Sequence, residues 1–174
     1  EVEVLLGLRN HPKHPFVAVL GGSKISDKLG VVEALLQVVD SLVVGGAMCF
    51  TFLAAQGLPI GASLFEPDQV DTCKRLLEQS VKLGKTIHLP EDIVGTDAAG
   101  NFATFGNRLP EGAKGFDIGP GSAAAFTDVI MDARMVFWNG PMGMFEDPRF
   151  EAGTRTVAQA MADTKAFTVV GGGD

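Results

Sequence analysis

An uncharged apolar run, Phe16–Leu20, is followed at once by two glycines and then by an amphipathic pattern. A run this short and this apolar is typical of a strand that is covered on both faces of a parallel sheet. Gly21 and Gly22 allow a sharp turn, after which apolar residues recur at helical spacing. The stretch therefore predicts a strand–turn–helix unit whose helix start directs free N–H groups and a positive dipole end toward solvent. The apolar face of the predicted helix consists of Leu29, Val32, Leu35, Leu36 and Val39.

Two lysines, Lys24 and Lys28, are spaced one helical turn apart just inside this predicted helix, so both ammonium groups could reach the same anion. Taken alone, a tight turn with two solvated lysines is the better interpretation. The glycine spacing matches neither the P-loop nor the dinucleotide-binding fingerprint. The same pattern of an apolar strand followed by glycine recurs along the chain, and this recurrence favours a binding site over a simple turn.

Apolar strands that end in glycine recur between helical segments. This alternation indicates an α/β domain with a mainly parallel sheet, a Rossmann-like three-layer sandwich. In such a sheet all the turns lie at the carboxyl edge, where these folds bind ligands. Glycine-rich turns on one edge imply close approach of the backbone to a ligand, and the two lysines make a polyphosphate the predicted ligand. The five turns contain Gly21-Gly22, Gly45-Gly46, Gly119, Gly140 with Gly143, and Gly171 to Gly173.

Charge and cysteine content limit the classes of partner and compartment. The 174 residues carry a net charge of −7, which argues against binding to nucleic acid or to a membrane surface. Cys49 and Cys73 lie in different contexts, so both are predicted to be free thiols of a reducing cytoplasm. No segment approaches the roughly 18 apolar residues of a membrane span. A soluble cytoplasmic protein is expected.

The sequence also makes several local predictions. Residues 97–112 are polar and rich in glycine, which predicts irregular structure or a small hairpin on the surface. Ser122 is predicted to cap the helix that follows Gly119. The chain begins without Met inside a helical pattern and stops at Asp174, where a helix is expected to begin. We therefore expect a piece of a longer protein, with an exposed apolar strip beside Val169 and Val170.

Two acidic residues close to the predicted edge each allow two interpretations. Asp174 could be a helix N-cap, and an acid beside a phosphate site is also where a magnesium ligand would lie. Glu146 could accept hydrogen bonds from ribose hydroxyls or could complement the dipole of a helix start. The residues alone favour neither interpretation of Glu146.

Five motifs occur in this order: LGGSKISDK, VVGGAMCFTFL, DIGPGS, FWNGPMGMFE and VVGGGD. Together they resemble the nucleotide-binding C-terminal domain of phosphoglycerate kinase over nearly the whole chain. The resemblance implies that residues 1–174 are this domain of a two-domain kinase and that residues 1–12 are the end of its interdomain helix. It implies the glycolytic reaction, a reversible phosphoryl transfer between 1,3-bisphosphoglycerate and Mg-ADP that gives 3-phosphoglycerate and Mg-ATP.

The resemblance also implies a role for each matching residue. Lys24 would stabilise the phosphoryl group in flight, Lys28 would bind nucleotide phosphates, and Asp174 would hold Mg²⁺. The amides of Gly172 and Gly173 would join Lys24 in the catalytic set. The other implied nucleotide contacts are Gly22, Gly45, Gly46, Leu64, Gly119, Pro141 and Met144 around adenine, Gly143 in the same loop, Glu146 on the ribose, and Asn139 and Gly171 at the phosphates.

This chain departs from the family pattern in its extent. The N-terminal domain, whose arginines and histidines hold phosphoglycerate, is absent, as is the segment after Asp174. Met144 stands where the family often has Val, which is a tolerable change in a slot wall. We expect these residues alone to be a monomer that binds nucleotide weakly and does not catalyse.

Two other functions compete with this interpretation. One is an NAD-dependent oxidoreductase on a similar fold, but no turn has the spaced-glycine fingerprint, and Gly45-Gly46 stands where an acid would bind the ribose. The other is a non-catalytic nucleotide-binding module that regulates a partner. The sequence leaves this second alternative open.

Overall fold

This computed structural model describes residues 12–171. The centre of the molecule is a sheet of five parallel strands, of which the Phe16–Leu20 strand is the middle one and is buried along its whole length. Burial on both faces explains why this strand is an unbroken apolar run. In spatial order the strands are β3 (Thr86–His88), β2 (Ser41–Val44), β1 (Phe16–Leu20), β7 (Met135–Asn139) and β8 (Phe167–Val170).

Helices cover both faces of this sheet. Alternate side chains of β1 point to opposite sides, so that Phe16, Ala18 and Leu20 enter one core while Val17 and Val19 enter the other. The predicted three-layer α/β sandwich is confirmed. The first core contains side chains from α1 (Leu29–Leu36), α2 (Met48–Ala55) and α3 (Val70–Lys82), and the second from α4 (Pro120–Asp132) and α5 (Ala152–Asp163).

A second, smaller sheet lies outside the parallel one. It is antiparallel, with β4 (Asp92–Thr96) between β5 (Phe102–Gly106) and β6 (Lys114–Ile118). Residues 97–112 therefore contain one strand of a small hairpin, which was one of the two predicted outcomes. The prediction that the strand before Gly119 belongs to the parallel sheet was wrong. Of the five glycine turns, four follow strands of the parallel sheet, because β6 pairs with β4 instead.

The lysine turn differs from the prediction that both lysines lie inside a helix. Lys24 has an extended backbone, with φ −129° and ψ 121°, and precedes a single 3-10 turn, Ile25–Asp27. Lys28 follows that turn and immediately precedes α1. The buried side chain of Ile25 fixes this extra turn against the first core. The lysines thus flank a 3-10 turn, with Lys24 exposed and Lys28 half-buried.

The start of α4 is capped by a residue from another element, so the prediction that Ser122 is the cap was wrong. The N-cap position is Gly119, which has no side chain. The carboxylate of Asp92 instead accepts hydrogen bonds from the amides of Gly121 at 2.9 Å and Ser122 at 2.7 Å. These are the second and third residues of the helix, the same donors that a local cap would satisfy. The Ser122 hydroxyl donates to the same carboxylate.

The edge strand β8 presents apolar side chains to solvent. Phe167 is 54% exposed and Val170 is 65% exposed. The predicted apolar strip at this end of the sheet is therefore present in the structure. Within residues 12–171, no helix combines the length and the apolar character needed to cross a bilayer.

Two glycines provide a matched test of how tightly the carboxyl edge is packed. A side chain at Gly21 would collide with the backbone carbonyl oxygen of Pro141, whereas a side chain at Gly30, in α1, would meet no atom within 4 Å. We expect Gly21→Ala to lower the free energy of unfolding by about 1–3 kcal/mol. Gly30→Ala should raise it by about 0.5–1 kcal/mol. Chemical denaturation of both variants checks this, and equal effects of the two changes would contradict it.

Candidate functional site

A cleft of about 510 Å³ opens where the turns after β1, β2 and β7 meet. Its volume is in the range of small-molecule binding sites. Its lining comes from the turns after β1 and β2, the first residues of α2, β6 and the loop after β7. The lining residues used below are Gly22, Gly46, Ala47, Leu64, Asp117, Pro141, Gly143, Met144 and Glu146.

Backbone contacts between the glycine turns build this edge. The amide of Gly22 donates to the carbonyl oxygen of Pro141 at 3.1 Å, and the amide of Gly46 donates to that of Met142 at 2.9 Å. Gly46 has a positive φ of 69°, and a Cβ there would lie 2.5 Å from the backbone of Gly22. These glycines therefore allow the backbones of neighbouring turns to approach each other, and not only the approach of a ligand. Glycine content alone is therefore a weaker indicator of a ligand than the sequence analysis assumed.

One end of the edge carries a cation and a buried amide. The ammonium of Lys28, the residue before α1, donates to the side-chain oxygen of Asn139, the last residue of β7. Asn139 is only 8% exposed. Gly22 and Gly171 border the pair, because a Cβ at Gly22 would lie 3.4 Å from Lys28 Cε and one at Gly171 would lie 3.1 Å from Asn139 Nδ2. Three residues predicted at the phosphates, Lys28, Asn139 and Gly171, are brought together here, beside Gly22, which was predicted around adenine.

Lys24 lies on the same turn as Lys28 but is exposed. The 3-10 turn between the two lysines is held from outside, since the amide of Ser26 donates to Glu66 Oε1 at 3.1 Å. The amide of Glu66 in turn donates to the buried hydroxyl of Thr51 at 3.1 Å. The lysine turn is thereby tied to the segment that carries Leu64, which connects the cationic end of the edge to the cleft.

The cleft itself has apolar walls. Leu64 is 65% exposed and Met144 is 52% exposed, although both are large apolar side chains. Apolar side chains exposed around a concave site suit the faces of a flat aromatic ligand. Glu146 is also exposed at the cleft. It lies before the 3-10 turn Pro148–Phe150 and outside any helix, so the interpretation as a helix-start acid was wrong.

Several predicted residues are not in the cleft. Gly119 does not line it, and a side chain there would collide with the Asp92 carboxylate. A glycine is needed at position 119 because the Asp92 carboxylate, which caps α4, occupies the space of a side chain there. Gly45 lies behind the cleft, where a Cβ would be 2.5 Å from the sulfur of Met142. Gly172, Gly173 and Asp174 lie outside the described residues, as does nearly all of the predicted interdomain helix.

Sequence analysis missed Asp117, a buried carboxylate on β6 that lines the cleft and is only 4% exposed. Its Oδ1 accepts the amide of Ile118 and its Oδ2 accepts the amide of Gly153, both at 2.9 Å. Burial raises the pKa of Asp117 to about 6, and the two amide donors oppose that rise. An acid flanked by the apolar residues Phe116 and Ile118 within a strand was the available signal.

The thiol of Cys49 also lines the cleft, and burial raises its pKa. Both Cys49 and Cys73 are free thiols, as predicted, and the structure shows that both are buried. Among residues 12–171, no group of three or more His, Cys, Asp or Glu side chains is placed to hold a metal ion.

A family model described as phosphoglycerate kinase matches residues 1–174. The chain belongs to the phosphoglycerate kinase family. A curated phosphoglycerate kinase from Corynebacterium urealyticum is 53% identical over 184 residues, covering 100% of this chain and 44% of the relative. A second, from Parafrankia sp., is 52% identical over 178 residues with the same coverage.

Solved structures agree with this family assignment. The structure of phosphoglycerate kinase from Coxiella burnetii superposes with a TM-score of 0.93 at 37% identity, covering 99% of this chain and 46% of that one. Phosphoglycerate kinase from Pyrococcus horikoshii superposes with a TM-score of 0.84 at 30% identity, covering 99% and 45%. The chain thus spans less than half the length of the phosphoglycerate kinases that it matches.

The raised pKa of Asp117 has a measurable consequence for stability. Below about pH 4 the carboxyl is protonated in both the folded and the unfolded chain, whereas between pH 4 and pH 6 only the folded chain retains the proton. The contribution of Asp117 to the free energy of unfolding is therefore fully present at pH 4. It is lost as pH rises through 6, by on the order of 3 kcal/mol.

Urea titrations of wild type and Asp117→Asn between pH 4 and pH 7 test this expectation. The difference in the free energy of unfolding, wild type minus variant, should fall as pH rises, because the other carboxyls cancel. A difference that stays constant or rises with pH would contradict it.

Proposed function

We propose that this chain is the nucleotide-binding C-terminal domain of a phosphoglycerate kinase that acts in the cytoplasm. The reaction is reversible phosphoryl transfer between 1,3-bisphosphoglycerate and Mg-ADP, which gives 3-phosphoglycerate and Mg-ATP. The observation that carries the proposal is the Lys28–Asn139 pair, which joins the residue before α1 to the end of β7, beside an apolar cleft. A cation with a buried amide next to an apolar slot suits a ligand with an anionic end and an aromatic end. Membership in the kinase family supports the same conclusion.

The phosphates would lie at the Lys28 end. Lys28 supplies a positive charge that is already oriented by Asn139, so less side-chain entropy is lost on binding. Lys24, exposed one 3-10 turn earlier, would extend toward the phosphoryl group during transfer. The amide of Gly171 donates to the carbonyl oxygen of Trp138 at 2.7 Å, so Gly171 would border the phosphates without donating to them, and the amides of Gly172 and Gly173 would be the donors. Asp174 would hold Mg²⁺, which neutralises phosphate charge when it is bound.

The nucleoside would occupy the cleft. The base would stack between Leu64 on one side and Pro141 and Met144 on the other, with Glu146 accepting hydrogen bonds from ribose hydroxyls. The backbones of Gly22, Gly46 and Gly143 would form the floor of this slot. Gly45 and Gly119 would not contact the nucleotide. Gly45 packs against Met142 behind the cleft, and Gly119 packs against the Asp92 carboxylate away from it.

Phosphoryl transfer is catalysed mainly by positioning and by neutralisation of charge. A site built from lysines, backbone amides and one metal ligand is therefore sufficient for it, and no triad is needed. The phosphoglycerate substrate would be held by a region that corresponds to the part of the relatives outside the match with this chain. We accordingly propose that the 174 residues alone bind nucleotide as a monomer and do not turn over substrate.

Calorimetric titration of the chain with Mg-ADP tests the proposal. Saturable binding is expected, with none for NAD, which would bind if the site were that of an oxidoreductase. Lys28→Ala should weaken Mg-ADP binding by at least about tenfold, because charge-assisted hydrogen bonds to the phosphates are lost. Lys82→Ala, on the last turn of α3 and away from the cleft, is the matched control and should leave the affinity unchanged.

Three results would contradict this proposal. They are saturable binding of NAD, Mg-ADP binding that Lys82→Ala weakens as much as Lys28→Ala does, and normal turnover of phosphoglycerate by the chain in a coupled assay. The last result would overturn the part of the proposal that assigns substrate binding to the unmatched half of the relatives.

A further inference from the structure

The loop after β7 forms one wall of the cleft and, besides its contacts with the turns after β1 and β2, is anchored to β6 and α5. The amide of Met144 donates to the carbonyl oxygen of Phe116, on β6, at 2.8 Å. The amide of Met142 donates to the hydroxyl of Thr154, on α5, at 3.0 Å. Pro141 and Met142 are held against the turns after β1 and β2 by the amides of Gly22 and Gly46, so the position of the rest of the loop depends on how β6 and α5 are placed relative to each other.

Asp117 is the group that joins these two elements. Its carboxylate belongs to β6 and accepts the amide of Gly153, the second residue of α5. That amide is one of the unpaired donors at a helix start, so a carboxylate there is stabilised by both the hydrogen bond and the helix dipole. Asp117 is thus an N-terminal cap supplied by the strand that carries the other anchor.

Two glycines leave room for this carboxylate. A Cβ at Gly143, within the loop that forms the wall, would lie 2.5 Å from Asp117 Oδ1, and a side chain at Gly153 would collide with the same oxygen. The carboxylate is therefore enclosed between the loop and the start of α5. Any change in its hydrogen bonds moves groups that contact the wall directly.

We propose that Asp117 is a positioning residue that sets the position of residues 143–146 of this loop in the cleft and thereby the affinity of the cleft for the nucleobase. This inference rests on the proposed function, in which the cleft holds the base of a nucleotide. Asp117 acts on the base end alone, because the Lys28–Asn139 pair at the phosphate end joins the residue before α1 to the last residue of β7.

Asp117→Asn changes hydrogen bonding while preserving shape. An ionised Asp117 presents acceptors to both amides, whereas Asn presents one acceptor oxygen and one NH₂ group. In the variant an NH₂ group would face either the Gly153 amide or the Ile118 amide, so two donors would oppose each other. An NH₂ group that faces the Gly153 amide loosens the contact between β6 and α5. An NH₂ group that faces the Ile118 amide shifts β6 beside Phe116.

The experiment compares two probes that share the phosphate end. Mg-ADP has a base, and magnesium tripolyphosphate does not. We expect Asp117→Asn to weaken Mg-ADP binding about tenfold, as the loss of a buried hydrogen bond would, while tripolyphosphate affinity changes less than about twofold. A merely structural role would weaken both probes equally.

Asp40→Asn is the matched control. Asp40 also accepts a backbone amide, that of Phe16 at 2.7 Å, but it does so at the start of β1, the opposite edge of the sheet. It should leave the ratio of the two affinities unchanged. Thr154→Val removes the acceptor for the Met142 amide and should also weaken Mg-ADP selectively, which keeps the test informative if Asp117→Asn does not fold.

The two proposals fail in different ways. Wild type that does not bind Mg-ADP would overturn both the nucleotide site and the role of Asp117. Wild type that binds Mg-ADP, with Asp117→Asn and Thr154→Val keeping the wild-type ratio of affinities, would overturn the role of Asp117 alone.

Discussion

The close approach of three backbone turns at the carboxyl edge of the parallel sheet is the constraint on which the rest of the structure depends. Gly21, Gly46 and Gly140 interlock because none of them has a Cβ, and each would meet the backbone of a neighbouring turn if it had one. This contact fixes the ends of β1, β2 and β7 relative to one another. The lysine pair, the buried amide and the cleft are all built on those ends.

The arrangement also explains how a chain of net charge −7 could hold a polyanion. The favourable groups are local: one half-buried ammonium beside a buried amide, and a second ammonium on the same turn. Such fixed groups lose little conformational freedom on binding. The cleft beside them is apolar, so the two ends of a nucleotide would be recognised by different physical interactions.

Much of the fold and part of the site were predictable from local sequence. Phe16–Leu20 identified the central strand because burial on both faces leaves a direct trace, an unbroken apolar run. Strand partners leave no such trace, and β6 was therefore assigned to the wrong sheet. Asp92 and Asp117 each accept the amide of a residue that is 29 to 36 positions away in the chain. Local patterns do not show such distant contacts. They therefore predicted Ser122 as the cap in place of Asp92, and they gave no indication of Asp117.

Amide chemical shifts of the chain, recorded during titration with Mg-ADP, test most directly the claim that the interlocked turns form a nucleotide site. The largest shifts are expected at Gly22, Gly46 and Met144 and at the Trp138 indole, which donates to the carbonyl oxygen of Gly140. The amide of Gly100, in the turn between β4 and β5, should not move. Saturable binding with shifts confined to residues away from these turns would contradict the claim.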